Sequence, residues 1–126
     1  MIKSSKLIVG VDIVEIDRIK LAISSWQNSF LKRVYTDSEI KECKNLAPRL
    51  ASRFAAKEAL IKALGAETKG VSWRDIEITS NDSGAPLIQL YGKAQEKAND
   101  IGIRDFAISL SHTKNLAVAF VVGNVN

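Results

Sequence analysis

Between Pro48 and Gly65 the chain reads PRLASRFAAKEALIKALG, with proline suited to a first turn and glycine to an end, which predicts one helix of about four to five turns. On a wheel of about 100° per residue, Leu50, Phe54, Leu60, Ile61 and Leu64 gather on one side, and Ala51, Ala55, Ala56, Ala59 and Ala63 cover much of the rest. A helix with so little polar face is a buried helix, so the other elements must surround it. Four long charged side chains, Arg53, Lys57, Glu58 and Lys62, nevertheless interrupt it. Arg53 and Lys57 fall inside the apolar arc. Glu58 and Lys62 stand four apart near its edge, in the favourable orientation for a helix ion pair, worth about 0.2–0.5 kcal/mol if exposed.

The flanking segments supply the surrounding elements. KLIVGVDIV is a nearly continuous apolar run with β-branched residues, which predicts a strand from Lys6 to about Val14 buried on both faces. Ile16, Ile19 and Ile23 recur at helical spacing, and Phe30, Leu31 and Val34 continue the pattern beyond the SSWQNS interruption. Thr36 and Glu39 have the spacing of a capping box, so a short helix begins at TDSE. Downstream, RDIEITS and PLIQLY flank the turn-forming NDSGA as a hairpin. KAQEKANDIG reads as a helix ending at Gly102, and RDFAISLSHTKNLAVAFVV as a second hairpin about HTKN. The expected fold is therefore a single α+β domain over residues 1–126, in the order β-α-α-α-β-β-α-β-β, with a mostly antiparallel sheet packed on the long buried helix.

Asp12 sits in the middle of the predicted first strand, where a buried carboxylate costs several kcal/mol unless an ion pair, a cap or a metal compensates it. One histidine and one cysteine, Cys43, in 126 residues rule out the usual zinc ligand sets and a disulfide framework. Carboxylates on adjacent elements suit a hard cation instead, and Mg²⁺ held by one or two carboxylates with water and substrate phosphates is the usual arrangement in phosphoryl transfer. Asp12 with Glu58 is a candidate pair of that kind, with Arg53, Lys57 and Lys62 as cations facing phosphates.

The net charge of +4 lies in the first half, where residues 1–63 carry 12 Lys and Arg against 7 Asp and Glu, while residues 64–126 carry 6 against 7. Such a field attracts an acidic partner or is simply a solvated helix surface. The N-terminal run is short and broken by Asp12, so neither a signal peptide nor a membrane span is expected, and the chain reads as cytoplasmic.

Three segments together, GVDIVEIDRI at 10–19, RFAAKEALIKALG at 53–65 and ISLSHTKNLAVA at 108–119, resemble the signature regions of the holo-acyl-carrier-protein synthases, the small group of 4′-phosphopantetheinyl transferases. WRDIEITSNDSGAPLI resembles that family in type and position as well. The resemblance implies transfer of 4′-phosphopantetheine from coenzyme A to a serine of apo acyl carrier protein, with release of adenosine 3′,5′-bisphosphate. It implies Mg²⁺ ligands at Asp12 and Glu58, assistance to transfer by Glu58 and Lys62, and coenzyme contacts at Arg53, Lys57, Lys62, Gly65, Pro86, His112 and Thr113. It also implies a homotrimer with active sites at subunit clefts, and carrier docking through Arg18 and Arg33. The segment between those arginines, AISSWQNSFLK, is less basic than the family's usual pattern, with Asn28 and Ser29 where cations often occur. Two non-catalytic alternatives are a small basic nucleic-acid-binding domain and a purely structural oligomerisation domain. The first calls for aromatic platforms among the basic residues, whereas aromatics are 6% of the chain without an RNP-like run, and the second leaves Asp12 unexplained.

Overall fold

A computed structural model of the chain describes residues 6–65 and 70–125. Strand β1 (Lys6–Glu15) runs into helix α1 (Ile16–Val34), followed by α2 (Asp37–Cys43) and the long α3 (Ala47–Leu64). A 3-10 turn (Trp73–Asp75) precedes the hairpin β2 (Ile76–Ser80) and β3 (Pro86–Leu90). Helix α4 (Gly92–Ile101) and the hairpin β4 (Ile103–His112) and β5 (Leu116–Val125) complete the chain. The α+β class, the order of elements and the antiparallel pairing are those expected from the sequence, but the strands form two sheets, β1-β5-β4 and β2-β3, in place of one.

Helix α3 is the axis of the core. Its alanines Ala51, Ala55, Ala56 and Ala59 are fully enclosed, and small residues face them from β5, where Ala117 and Ala119 are also at 0% exposure. Small side chains on both surfaces let helix and sheet approach closely. Closest of all is Gly10 on β1, where an added Cβ would stand 1.9 Å from the Ala59 carbonyl oxygen. That glycine is required for contact with the helix, and it presses β1 onto α3 two residues before Asp12.

The expectation that β1 is buried on both faces is corrected. β1 is an edge strand, and its alternate residues Leu7, Val9, Val11 and Ile13 point outward at 52–62% exposure. Val11 is opposite Phe120, Ile13 opposite Val118 and Val9 opposite Val122, so the outer face of the β1-β5 pair is a continuous apolar surface, bordered on β4 by Ser109 and Ser111. A run apolar on both strand faces therefore does not by itself show that both faces are covered.

Local signals in the helices correspond to real caps and breaks. Thr36 Oγ1 accepts from Glu39 N at 3.3 Å while Glu39 Oε1 accepts from Thr36 N at 2.8 Å, closing the capping box of α2. Within SSWQNS, Gln27 adopts φ 47°, ψ −127°, and α1 kinks there. Ser24 and Ser29 each donate a hydroxyl to the carbonyl three residues back, a local competition that weakens helix continuity. Cys43 is enclosed in the core, and burial pushes its thiol up to about 11, which leaves it an inert packing group.

Candidate active site

Of the charged residues singled out on α3, Lys62 reaches Asp12. Its Nζ donates to Asp12 Oδ1 at 3.0 Å and to the Val11 carbonyl at 3.1 Å, across the seam that Gly10 closes. Lys62 is 56% exposed and Asp12 17%, so the pair lies at the mouth of the seam. Glu58, one turn of about 5.4 Å earlier on the same helix, does not pair with Lys62. Instead Glu58 Oε1 accepts from the Trp73 indole Nε1 at 2.9 Å. Arg33 joins Glu58 and Trp73 in lining a cleft of about 390 Å³. The cleft of about 450 Å³ formed by Trp26, Phe30, Phe54 and neighbours also has Arg33 and Trp73 in its wall. The second half of α3 thus carries Lys62 toward Asp12 on β1 and Glu58 toward the cleft it shares with Arg33 of α1.

Lys57 is not among them, and its expected contact with the coenzyme is corrected. Its side chain is at 0% exposure, with Nζ 2.7 Å from Glu39 Oε1 and donating to the carbonyls of Trp73, at 2.9 Å, and Ile76. An ammonium has three protons, and all three have acceptors. Burial pulls the Lys57 pKa below the ordinary lysine value, and the Glu39 carboxylate opposes that shift. Glu39 Oε2 in turn accepts from Ile78 N at 2.8 Å, so this buried pair locks α2, α3 and β2 together.

The other expected site residues lie apart from Asp12 and Glu58. Arg53 is about 13 Å along the helix axis from Lys62, and its Nη2 donates to Glu42 at 2.8 Å and to Ser80 at 3.3 Å. Ser80 is opposite Pro86 in the β2-β3 register, so Arg53 and Pro86 share the mouth of that hairpin. His112 is exposed at the end of β4, its Nδ1 3.3 Å from the Thr113 carbonyl. Thr113 shapes the β4-β5 turn: its Oγ1 accepts from Asn115 N at 3.2 Å and Leu116 N at 3.0 Å. Gly65 ends α3 at φ 101°, a conformation that favours glycine. Arg18 is exposed in the first turn of α1, on the far side of the Gln27 kink from Arg33. Within one chain Asp12 pairs with Lys62 and Glu58 shares a cleft with Arg33, two groups joined by α3, while Arg53 with Pro86, and His112 with Thr113, stand apart.

A sequence model of the 4′-phosphopantetheinyl transferase superfamily matches residues 8–121. The chain belongs to that superfamily. The transferase is 48% identical over 124 residues to the holo-[acyl-carrier-protein] synthase of Herpetosiphon aurantiacus, covering 93% of this chain and 98% of that one. It is 47% identical over 116 residues to the synthase of Dehalococcoides mccartyi strain CBDB1, covering 92% and 97%. Among solved structures it is similar to the Helicobacter pylori holo-[acyl-carrier-protein] synthase in complex with coenzyme A, with a TM-score of 0.81, 38% identity, and coverage of 91% of this chain and 98% of that chain. Membership in a transferase family favours catalysis over both non-catalytic alternatives.

The donor set of the transferase can be judged against the metal implied by its family. Among the described residues no group of three or more His, Cys, Asp or Glu side chains could enclose a metal ion. Two carboxylates on neighbouring elements, Asp12 on β1 and Glu58 on α3, are nevertheless a sufficient protein share for Mg²⁺, which retains several waters and takes its remaining oxygens from phosphates. The residues fit that kind of site and do not fit a closed protein cage. Sequence reasoning missed Gly10, Glu39 as more than a cap, and Trp73. The available signal for Trp73 was chemical: an indole N–H in a half-buried position needs an acceptor, and Glu58 supplies it.

Proposed function

We propose that this single domain, residues 1–126, transfers the 4′-phosphopantetheine group of coenzyme A to a serine hydroxyl of apo acyl carrier protein, yielding holo carrier and adenosine 3′,5′-bisphosphate. The observation that carries this reading is the Asp12–Lys62 pair on the β1-α3 seam of a family member, with Glu58 four residues before Lys62 on the same helix. Asp12 and Glu58 would hold Mg²⁺, which when bound neutralises charge on the reacting phosphates. The Lys62 ammonium, half in solvent, donates to a pyrophosphate oxygen and stabilises charge as the bisphosphate leaves. The Glu58 carboxylate takes the proton of the attacking serine hydroxyl.

The active unit is a homotrimer. The apolar outer face formed by Val9, Val11, Ile13 and Phe120 supports association of identical sheets, and the separation of Arg53, Pro86, His112 and Thr113 from Asp12 in one chain supports sites completed by a neighbour. The carrier approaches through Arg33 and Arg18, where basic charge answers its acidity. The protein works in the cytoplasm, in fatty acid biosynthesis; among the described residues no helix is long and apolar enough to cross a membrane.

The test is incubation with apo acyl carrier protein, coenzyme A and MgCl₂, followed by intact mass of the carrier. The expected result is a gain of one phosphopantetheine that is abolished by EDTA and by Asp12→Ala or Glu58→Gln, with circular dichroism unchanged. No mass gain on any carrier would sink the reading, and near-normal turnover of either variant at limiting Mg²⁺ would remove that residue from the ligand set. Val11→Glu should shift the sedimentation of the protein from trimer to monomer.

A further inference from the structure

The geometry points to Trp73 as the positioning residue of Glu58: we infer that its indole N–H holds one carboxylate oxygen so that the other is presented to the divalent ion. This rests on the metal role proposed for Glu58. A glutamate side chain has three torsions, and the last is broad, so an untethered carboxylate samples many orientations. Among the described residues Glu58 has one hydrogen-bond donor, the Trp73 Nε1 at 2.9 Å, and it falls on Oε1. Oε2 remains for a ligand. A donor directed at a charged carboxylate makes one of the stronger hydrogen bonds, and groups that orient a metal ligand in this way commonly set its affinity for the metal.

Trp73 is itself held from behind. Its carbonyl accepts from the buried Lys57 Nζ at 2.9 Å, and Lys57 is fixed by Glu39 at 2.7 Å. Its 3-10 turn is capped in both directions, with Ser72 Oγ accepting from Arg74 N and Asp75 Oδ2 accepting from Ser72 N. The ring packs on Phe54 at a centroid distance of 6.0 Å. The chain Glu39, Lys57, Trp73, Glu58 therefore runs from the core to the site, and it gives the lysine buried in α3 a function: it anchors the residue that aims the metal ligand. Packing alone would be served by phenylalanine; the N–H is what phenylalanine lacks.

The decisive variant is Trp73→Phe, which keeps a ring and removes the donor. With Mn²⁺ alone as the probe, titrated by loss of its free-ion EPR signal on the full chain, Trp73→Phe should weaken binding about tenfold. It should add nothing in a Glu58→Gln background. An unchanged Mn²⁺ affinity in Trp73→Phe, with Glu58→Gln weakened, would overturn the inference and leave the metal role of Glu58 standing. Unchanged affinity in Glu58→Gln would bring down that metal role and the inference with it. If Trp73→Phe does not fold, indole ¹H–¹⁵N resonances decide the matter in the intact protein. The Trp73 proton should lie downfield of that of Trp26, which is 68% exposed, and exchange more slowly with water. Glu58→Gln should move it upfield, and a resonance indifferent to Glu58→Gln would refute the hydrogen bond.

Discussion

Lys57 and Lys62 stand five residues apart on one helix and do opposite work. Lys57 faces α2 and β2, has no solvent, and has every proton on Glu39 or a backbone carbonyl. Lys62 faces β1 and meets a single carboxylate and one carbonyl, with more than half of its side chain in water. A buried cation with its acceptors complete has no proton left for a substrate and acts only through the groups it anchors, whereas an exposed one can exchange a protein partner for a substrate oxygen. The division between scaffold and chemistry on α3 is thus set by the neighbour each face meets.

The largest expected effect tests the scaffold side. Lys57→Met leaves Glu39 as an uncompensated buried carboxylate and should cost about 3–5 kcal/mol of unfolding free energy, measured by urea titration. The double change Lys57→Met with Glu39→Gln should recover part of that loss, because it removes the stranded charge. Lys62→Ala should behave in the reverse way: kcat falls by about 10²–10³ while stability changes by about 1 kcal/mol or less, as for other solvent-exposed pairs. If Lys62→Ala destabilises as much as Lys57→Met, the contrast between the two lysines is broken.

The seam between β1 and α3 gives the next effect. Gly10→Ala places a methyl on the Ala59 carbonyl, a backbone atom that cannot swing away, so the strand must move outward. Overpacking of this kind costs about 1–3 kcal/mol. Because Asp12 is two residues further along the same strand, kcat should also fall in protein that remains folded. A Gly10→Ala protein of reduced stability and normal kcat would show that Asp12 does not depend on that contact for its position.

Much of this was legible in the sequence, and the rest was hidden for identifiable reasons. The α3 wheel, the Thr36–Glu39 box, the SSWQNS break and both hairpins depend on neighbours a few residues apart, and local pattern carries them. That Asp12 needs a partner was legible too, since a carboxylate inside an apolar strand has to have one, but the ion pair expected on α3 was Glu58 with Lys62, and Lys62 instead reaches Asp12. The partner of Lys57 was not legible. Glu39 already had a local explanation as a cap residue, and nothing in spacing says that its side chain also reaches Ile78 and α3. The outer face of β1 was misread because apolar residues on both sides of a strand do not by themselves mean burial on both: β1 is an edge strand whose outer residues are 52–62% exposed. Trp73 precedes the strand-like run RDIEITS and had no structural role in the sequence pattern, although its indole reaches back fifteen residues to Glu58.

The smallest expected effect separates two arginines. Arg18 and Arg33 were read together as one docking surface, but the kink at Gln27 lies between them, and Arg33 shares a cleft with Glu58. If Glu58 takes the serine proton as proposed, a carrier bound productively passes Arg33 at close range and meets Arg18 only at the periphery. Arg33→Glu should therefore raise the carrier KM about fivefold and weaken its salt dependence, with coenzyme KM nearly unchanged, and Arg18→Glu should raise it about twofold, in line with exposed charge pairs worth about 0.2–1 kcal/mol. The ranking matters more than the magnitudes, because both residues carry the same charge and differ in distance from the chemistry. Equal effects at the two positions would mean that the carrier lies along the whole of α1 across the kink. A larger effect at Arg18 would move the docking surface away from the Glu58 cleft, and the carrier serine would then have to enter from the β1 side of Asp12.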